Sequence, residues 1–181
     1  MSHVCAVAWL TLLLVLALPT PGAKAIRLII MADDLGAAEA VNSATFAAQR
    51  DGVVTTSNLI VPGPWFPQAV RLAKENPTFD IGIHLALTSE WSDVKWRPLT
   101  GGRSFCDEDG YFAPFVWPNP KAGVGRSLRE LKVDLVEAEA ELRAQIELAK
   151  RHVPPRLRRD LPSVHAGYDQ QIGRASCRER V

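Results

Sequence analysis

Cysteine is scarce, with three in 181 residues. Cys5 lies in an N-terminal apolar segment and Cys177 in an unusual C-terminal one, which leaves Cys106, in SFCDEDG, alone in the body of the chain. One cysteine cannot form an internal disulfide framework, and its turn-rich context predicts a loop bystander. Charge of one sign is also lacking. The formal net charge is +1, no basic block occurs, and nothing points to nucleic acid. Even that small excess sits at the ends, on Lys24 and on Arg174, Arg178 and Arg180 against Glu179. Long apolar runs are absent too. The longest, residues 6–18 (AVAWLTLLLVLAL), has 13 residues, too short to cross a bilayer comfortably. What remains is 47% hydrophobic and 23% charged, a globular balance that excludes disordered and collagen-like chains.

The apolar run suits the core of a secretory signal. Pro19 and Pro21 follow it, then Ala23-Lys24-Ala25, a small-x-small cleavage pattern. Residues 1–25 are therefore expected to be a signal peptide, with export and no stable membrane span after its removal. Residues 172–181 (IGRASCRERV) back-translate to a common sequencing-adapter string and are expected to be an artefact. Residues 26–171 form the expected domain.

Residues 26–31 (IRLIIM) are branched and apolar, bounded by Asp33, Asp34 and Gly36, and predict a buried parallel strand. Residues 37–50 carry Val41, Ala44, Thr45 and Ala48 at helical spacing, with Asp51-Gly52 as the stop. Residues 56–61 predict a strand, 66–75 a helix and 80–87 a third strand. The alternation predicts an α/β fold with a parallel sheet. A long segment from Thr88 to about Arg126, with three tryptophans, reads as a lid or insertion. Residues 127–151 predict one continuous helix, opened by the Ser127/Glu130 capping box. Leu128, Leu131, Leu135, Ala138, Leu142, Ile146 and Ala149 form its apolar stripe, with the charges on a solvated face.

Reactive groups in parallel α/β folds gather at the carboxyl ends of strands. Asp33-Asp34 and His84, in Gly82-Ile83-His84-Leu85, are expected there. Side chains alternate along a strand, so adjacent aspartates would point differently and take separate roles. An aspartate pair also serves to cap a following helix, and a histidine in an apolar strand is often a core residue. Together, on nearby strands, they make half of a divalent-metal site. His152 suits the carboxyl end of the long helix, so His165, in Ser163-Val164-His165-Ala166-Gly167, is the better third ligand.

Met31-Ala32-Asp33-Asp34-Leu35-Gly36, Val41-Asn42, Thr55-Thr56-Ser57, residues 82–88 (GIHLALT), Arg97-Pro98-Leu99 and residues 107–112 (DEDGYF) occur in that order. This series resembles the YdjC-like carbohydrate deacetylases, a family that includes chitooligosaccharide deacetylases and deacetylase-like proteins of hopanoid synthesis. The resemblance spans about residues 26–151. It implies a (β/α) barrel related to polysaccharide deacetylases and one divalent ion, magnesium or zinc. Asp33 is implied as general base, with Asp34, His84 and His165 as metal ligands. Near His165 the stretch 155–167 departs from the family pattern and lacks its preceding histidine.

The implied chemistry is removal of the acetyl group from an N-acetylated sugar. Trp91, Trp96 and Trp117 either line a sugar groove or pack the long segment onto the barrel. A non-catalytic carbohydrate-binding or structural member of the same fold is the alternative. A phosphohydrolase using Asp33-Asp34 is disfavoured because these two are adjacent and lack the Asp-x-Asp spacing of an aspartyl-phosphate nucleophile. Barrels of this kind take about 250 residues, so the chain is expected to form a partial barrel that is not stably folded as a monomer and has little activity of its own, and the intact protein leaves room for self-association.

Overall fold

The computed structural model describes residues 28–121 and 125–153, with the backbone of 162–164. Four parallel strands form one sheet in the order β1-β2-β3-β4. They are β1 (Met31–Leu35), β2 (Thr56–Ile60), β3 (Asp80–Leu85) and β4 (Pro162–Val164). Three helices alternate with them, α1 (Glu39–Asp51), α2 (Phe66–Glu75) and α3 (Leu135–His152). Strands adjacent in sequence are adjacent in the sheet. This sequential order differs from that of a doubly wound sheet, which reverses its order at a switch point. Among the described residues no helix is long and apolar enough to cross a membrane.

The two faces of the sheet differ in chemistry, and period-two alternation is the reason. Leu35, Leu59, Ile81 and Ile83 meet Phe46 of α1, Phe66, Ala69, Val70 and Ala73 of α2, and Ala149 of α3. The opposite face of β2 and β3 carries Asn58, Ile60, Gly82 and His84, aligned as Asn58 with Gly82 and Ile60 with His84. Helices cover the first face, and polar groups concentrate on the second.

β1 begins later than its apolar run predicts. Leu28 and Ile29 are exposed, and pairing starts only at Ile30, whose carbonyl accepts from Thr55 and Thr56. Asp33 and Asp34 consequently lie inside β1, not after it. In α1 the buried residues are Asn42, Thr45 and Phe46, while Ala44 is exposed. Asn42 accepts from the Gly36 amide at 2.7 Å and donates to the Trp65 carbonyl and to Gln68, so it ties the β1–α1 turn to the start of α2. Gly36 has φ +97°, and a Cβ there would come within 2.8 Å of the Ile60 carbonyl oxygen. Any side chain would force β1 and β2 apart at their carboxyl ends.

The continuous helix over 127–151 is not formed. The Ser127/Glu130 capping box exists, but it closes a single 3-10 turn, Leu128–Glu130, and Leu131 is extended. The α-helix restarts at Leu135. Asp134 caps it by accepting from the amides of Val136 and Glu137, and Ser104 accepts from the Asp134 amide. The apolar stripe holds in part: Ala138 and Ala149 are buried and Leu142 and Ile146 half-buried, but Leu135 is exposed and the other buried residues of α3 are Glu141 and Gln145. The expected solvated face thus includes a buried carboxylate. Glu141 accepts from the amides of Leu99 and Thr100, the Thr100 hydroxyl and Gln145. Gln145 donates to the Ala86 carbonyl at 2.8 Å and accepts from its amide at 3.0 Å. Its side-chain amide therefore acts as a neighbouring strand would, just past the end of β3.

The long segment after β3 is a packed layer. Trp96, Phe105, Cys106 and Phe112 form a second core with Ala37, Ile60 and Ala138. Cys106 pairs with Phe112 in an antiparallel bridge. Burial pushes the Cys106 thiol up to about 11, only partly opposed by Arg103.

Two outcomes follow from this packing. Replacing Gln145 by Leu leaves both polar groups of Ala86 without their partner and should cost about 2–6 kcal/mol, at roughly 1–3 per buried group, read as a lower urea midpoint. Cys106 should resist a thiol reagent at pH 8, where a thiol displaced to about 11 is almost wholly protonated. Peptide mapping should find it labelled only once urea unfolds the chain; rapid labelling of the folded chain would contradict the buried layer.

Candidate active site

The register of β1 against β2 explains how two adjacent aspartates reach the same place. Ala32 aligns with Ser57 and Leu35 with Leu59. Two steps on β2 thus match three on β1, so Asp33 and Asp34 together oppose the single residue Asn58. This is a β-bulge. Strict alternation would send the two carboxylates to opposite faces; the extra residue keeps both on the face that carries Asn58 and His84. The expectation of diverging aspartates is corrected in this respect.

Asp34 pays for the bulge with a left-handed backbone, φ 64°. Aspartate tolerates that region better than most residues, at a cost of order 1 kcal/mol. Local bonds hold it there. Its amide donates to Asn58 Oδ1 at 3.1 Å, and its carbonyl accepts from the Ala37 amide at 3.0 Å. The same Asn58 donates through Nδ2 to Asp33 Oδ1 at 2.5 Å. One buried amide therefore orients the first carboxylate and braces the backbone of the second.

His84 comes from the carboxyl end of β3. Its Nδ1 lies 3.3 Å from Asp34 Oδ1, with the imidazole side chain 7% and the carboxylate 24% exposed. Gln145 fixes the backbone two residues beyond His84 through Ala86. Two donors bound to one ion at about 2.1 Å each stand roughly 3.0–3.5 Å apart, and the Asp34–His84 separation falls in that interval. An oxygen and an imidazole nitrogen also form a donor set that divalent ions accept. Among the described residues no group of three or more histidine, cysteine, aspartate or glutamate side chains surrounds a common point.

Of the residues singled out in the sequence, Asp33, Asp34 and His84 meet on one face at one end of the sheet. His165 lies outside the described residues. Of the tryptophans, Trp96 is buried and bonded to the Thr88 carbonyl, Trp91 packs edge-on against it, and Trp117 is exposed beneath the Arg129 guanidinium. Asn58, Glu141 and Gln145 were not among the residues that the sequence picked out. A signal for Asn58 was available: an amide in the middle of a buried strand, Thr-Ser-Asn-Leu-Ile, has to find partners.

Asn58→Leu removes the acceptor of the Asp34 amide and the donor to Asp33 without a large change in volume. It should destabilise the chain by about 1–3 kcal/mol. An unchanged urea midpoint would show that Asn58 does not brace the bulge.

The sequence profile of the YdjC-like protein family matches residues 27–155. A carbohydrate deacetylase of Thermus thermophilus is 38% identical over 128 residues, which are 71% of this chain and 40% of that protein. Carbohydrate deacetylase 2 of Listeria innocua is 43% identical over 84 residues, 46% of this chain and 32% of that one. A crystal structure from Enterococcus faecalis V583, of a protein provisionally described as a cellobiose-phosphate cleavage protein, superposes with a TM-score of 0.56 at 32% identity. That match covers 70% of this chain and 45% of that one. The chain therefore spans about a third to two fifths of the length of these curated relatives. With the profile covering most of the chain, the chain belongs to the YdjC-like family.

Proposed function

We propose that the intact protein is a metal-dependent amide hydrolase that removes N-acetyl groups from an amino sugar or oligosaccharide. The observation that carries this is the convergence of Asp33, Asp34 and His84 on one face of the sheet, in a chain whose relatives are named carbohydrate deacetylases.

Asp34 and His84 would hold the ion, with His165 as a further ligand. Imidazole nitrogen beside carboxylate favours zinc, while magnesium prefers oxygen donors throughout. When bound, a divalent ion supplies Lewis acidity, lowering the pKa of water and polarising the acetyl carbonyl.

Asp33 is free for proton transfer. It is the more exposed carboxylate of the pair, and Asn58 engages its Oδ1. It takes a proton from the attacking water as the oxygen–carbon bond forms. Breaking the carbon–nitrogen bond then requires a proton on the leaving amine, and Asp33 can return the one it took. Acetate and a free amino sugar result. A non-catalytic member of the family would bind sugar and release no acetate.

In the variants the two roles should separate. Asp33→Asn in the intact protein should reduce acetate release by at least 100-fold, the lower end of general-base contributions, while metal content stays that of the unmodified protein. Asp34→Asn and His84→Ala should lose the metal itself, measured by equilibrium dialysis on this chain and elemental analysis of the intact protein. Equal metal loss in all three would overturn the division of labour.

A further inference from the structure

Asn58 is 1% exposed in the middle of β2, and its side-chain amide directs every polar atom at the aspartate strand. Nδ2 donates to Asp33 Oδ1 at 2.5 Å and reaches Met31 Sδ at 3.5 Å, while Oδ1 accepts from the Asp34 amide at 3.1 Å. Its neighbour across the sheet on β3 is Gly82, which puts no side chain beside it.

These partners admit one orientation. A flipped amide would set Oδ1 against the Asp33 carboxylate and Nδ2 against the Asp34 N–H, exchanging two hydrogen bonds for two repulsions. Burial makes the exchange costly, because water cannot replace either partner. The two ends of the amide therefore have different duties. The acceptor end holds the backbone of the bulge, and with it Asp34. The donor end meets only side-chain atoms, those of Asp33 and Met31. A bulge held by the backbone bond alone would leave the exposed Asp33 side chain free to rotate. Among the described residues no second group bonds its carboxylate.

We infer that Asn58 is a positioning residue for proton transfer. Its donor end fixes one oxygen of Asp33 and leaves the other, Oδ2, as the atom that exchanges protons with the substrate. This rests on the proposed hydrolase function. The proton passes from water to Oδ2 as the oxygen–carbon bond forms. It passes from Oδ2 to nitrogen as the carbon–nitrogen bond breaks, so Asp33 ends as it began. Both transfers need that oxygen within hydrogen-bond reach of the reacting atoms. A freely rotating carboxylate meets the condition only part of the time. Asn58 acts through Asp33, not on the substrate.

Asn58→Asp separates the two ends. It keeps the shape of the side chain and an oxygen for the Asp34 amide, and it replaces the donor to Asp33 with a second oxygen. The probe is the β-1,4-linked dimer of N-acetylglucosamine at pH 8.5, where an ordinary carboxyl group is ionised. In the intact protein the variant should lower kcat for acetate release by about tenfold to a hundredfold, the effect of losing one hydrogen bond to a charged group, with KM unchanged. Zinc binding to this chain, measured by equilibrium dialysis, should be no weaker than before. A zinc affinity that falls in step with kcat overturns the positioning role and leaves Asn58 as a brace alone. Acetate release at equal kcat by the variant and the unmodified protein overturns this role and upholds the hydrolase. An unmodified protein that releases no acetate overturns both. One further measurement holds even where Asn58→Asp fails to fold. In the chain with Asn58 intact, the NMR signal of its side-chain amide should move on Asp33→Ala, and a signal that stays in place overturns the donor contact.

Discussion

Asn58 and the bulge opposite it determine what this sheet can do. A regular β1 would bury one aspartate among the helix-facing side chains and leave only its neighbour near His84. The extra residue between Ala32 and Leu35 puts both carboxylates on one face. Asn58 makes that arrangement tolerable by bonding the Asp34 amide and the Asp33 carboxylate at once. A left-handed aspartate without these bonds would relax toward ordinary strand geometry, and the pair would separate.

The rest of the described structure supports that cluster from three directions. Asn42 accepts the Gly36 amide and so anchors the turn leaving the bulge. Gln145 of α3 fixes the backbone beyond His84. Glu141, one turn earlier on the same helix, grips the Leu99–Thr100 segment and links the inserted layer to the same support. Buried polar groups of this kind are destabilising unless fully bonded. Glu141 meets that condition by accepting four hydrogen bonds, three from the inserted layer and one from Gln145. The fold thus places its demanding polar groups around the carboxyl ends of the strands and keeps its more replaceable apolar packing on the helix side.

Much of this was legible in the residues. Short strand-like segments alternating with an amphipathic one marked β2, β3 and α2 close to their true limits, because Pro62-Gly63-Pro64 and Asn76-Pro77 punctuate the chain between them. The aspartate pair and His84 were recognisable from type and position. The bulge was not, since no local property of Ala-Asp-Asp-Leu reveals how many residues will oppose Asn58; that is decided by pairing with a strand over twenty residues away. The helix over 127–151 failed for a related reason. Its periodicity was real, but Asp134 caps more strongly than the spacing suggests, and the carboxylates of Glu137 and Glu141 satisfy loop amides instead of solvent. Periodicity reports which positions share a face, and says nothing of whether that face meets apolar side chains or unpaired backbone.

One divalent ion shared by Asp34 and His84 would be visible in X-ray anomalous scattering at the zinc edge, from crystals of this chain grown with zinc. One strong peak should appear, bonded both to the Asp34 carboxylate and to the His84 imidazole, with Asp33 beside it and engaged by Asn58. A peak bound elsewhere, or a structure in which that carboxylate and imidazole face different layers, would contradict it.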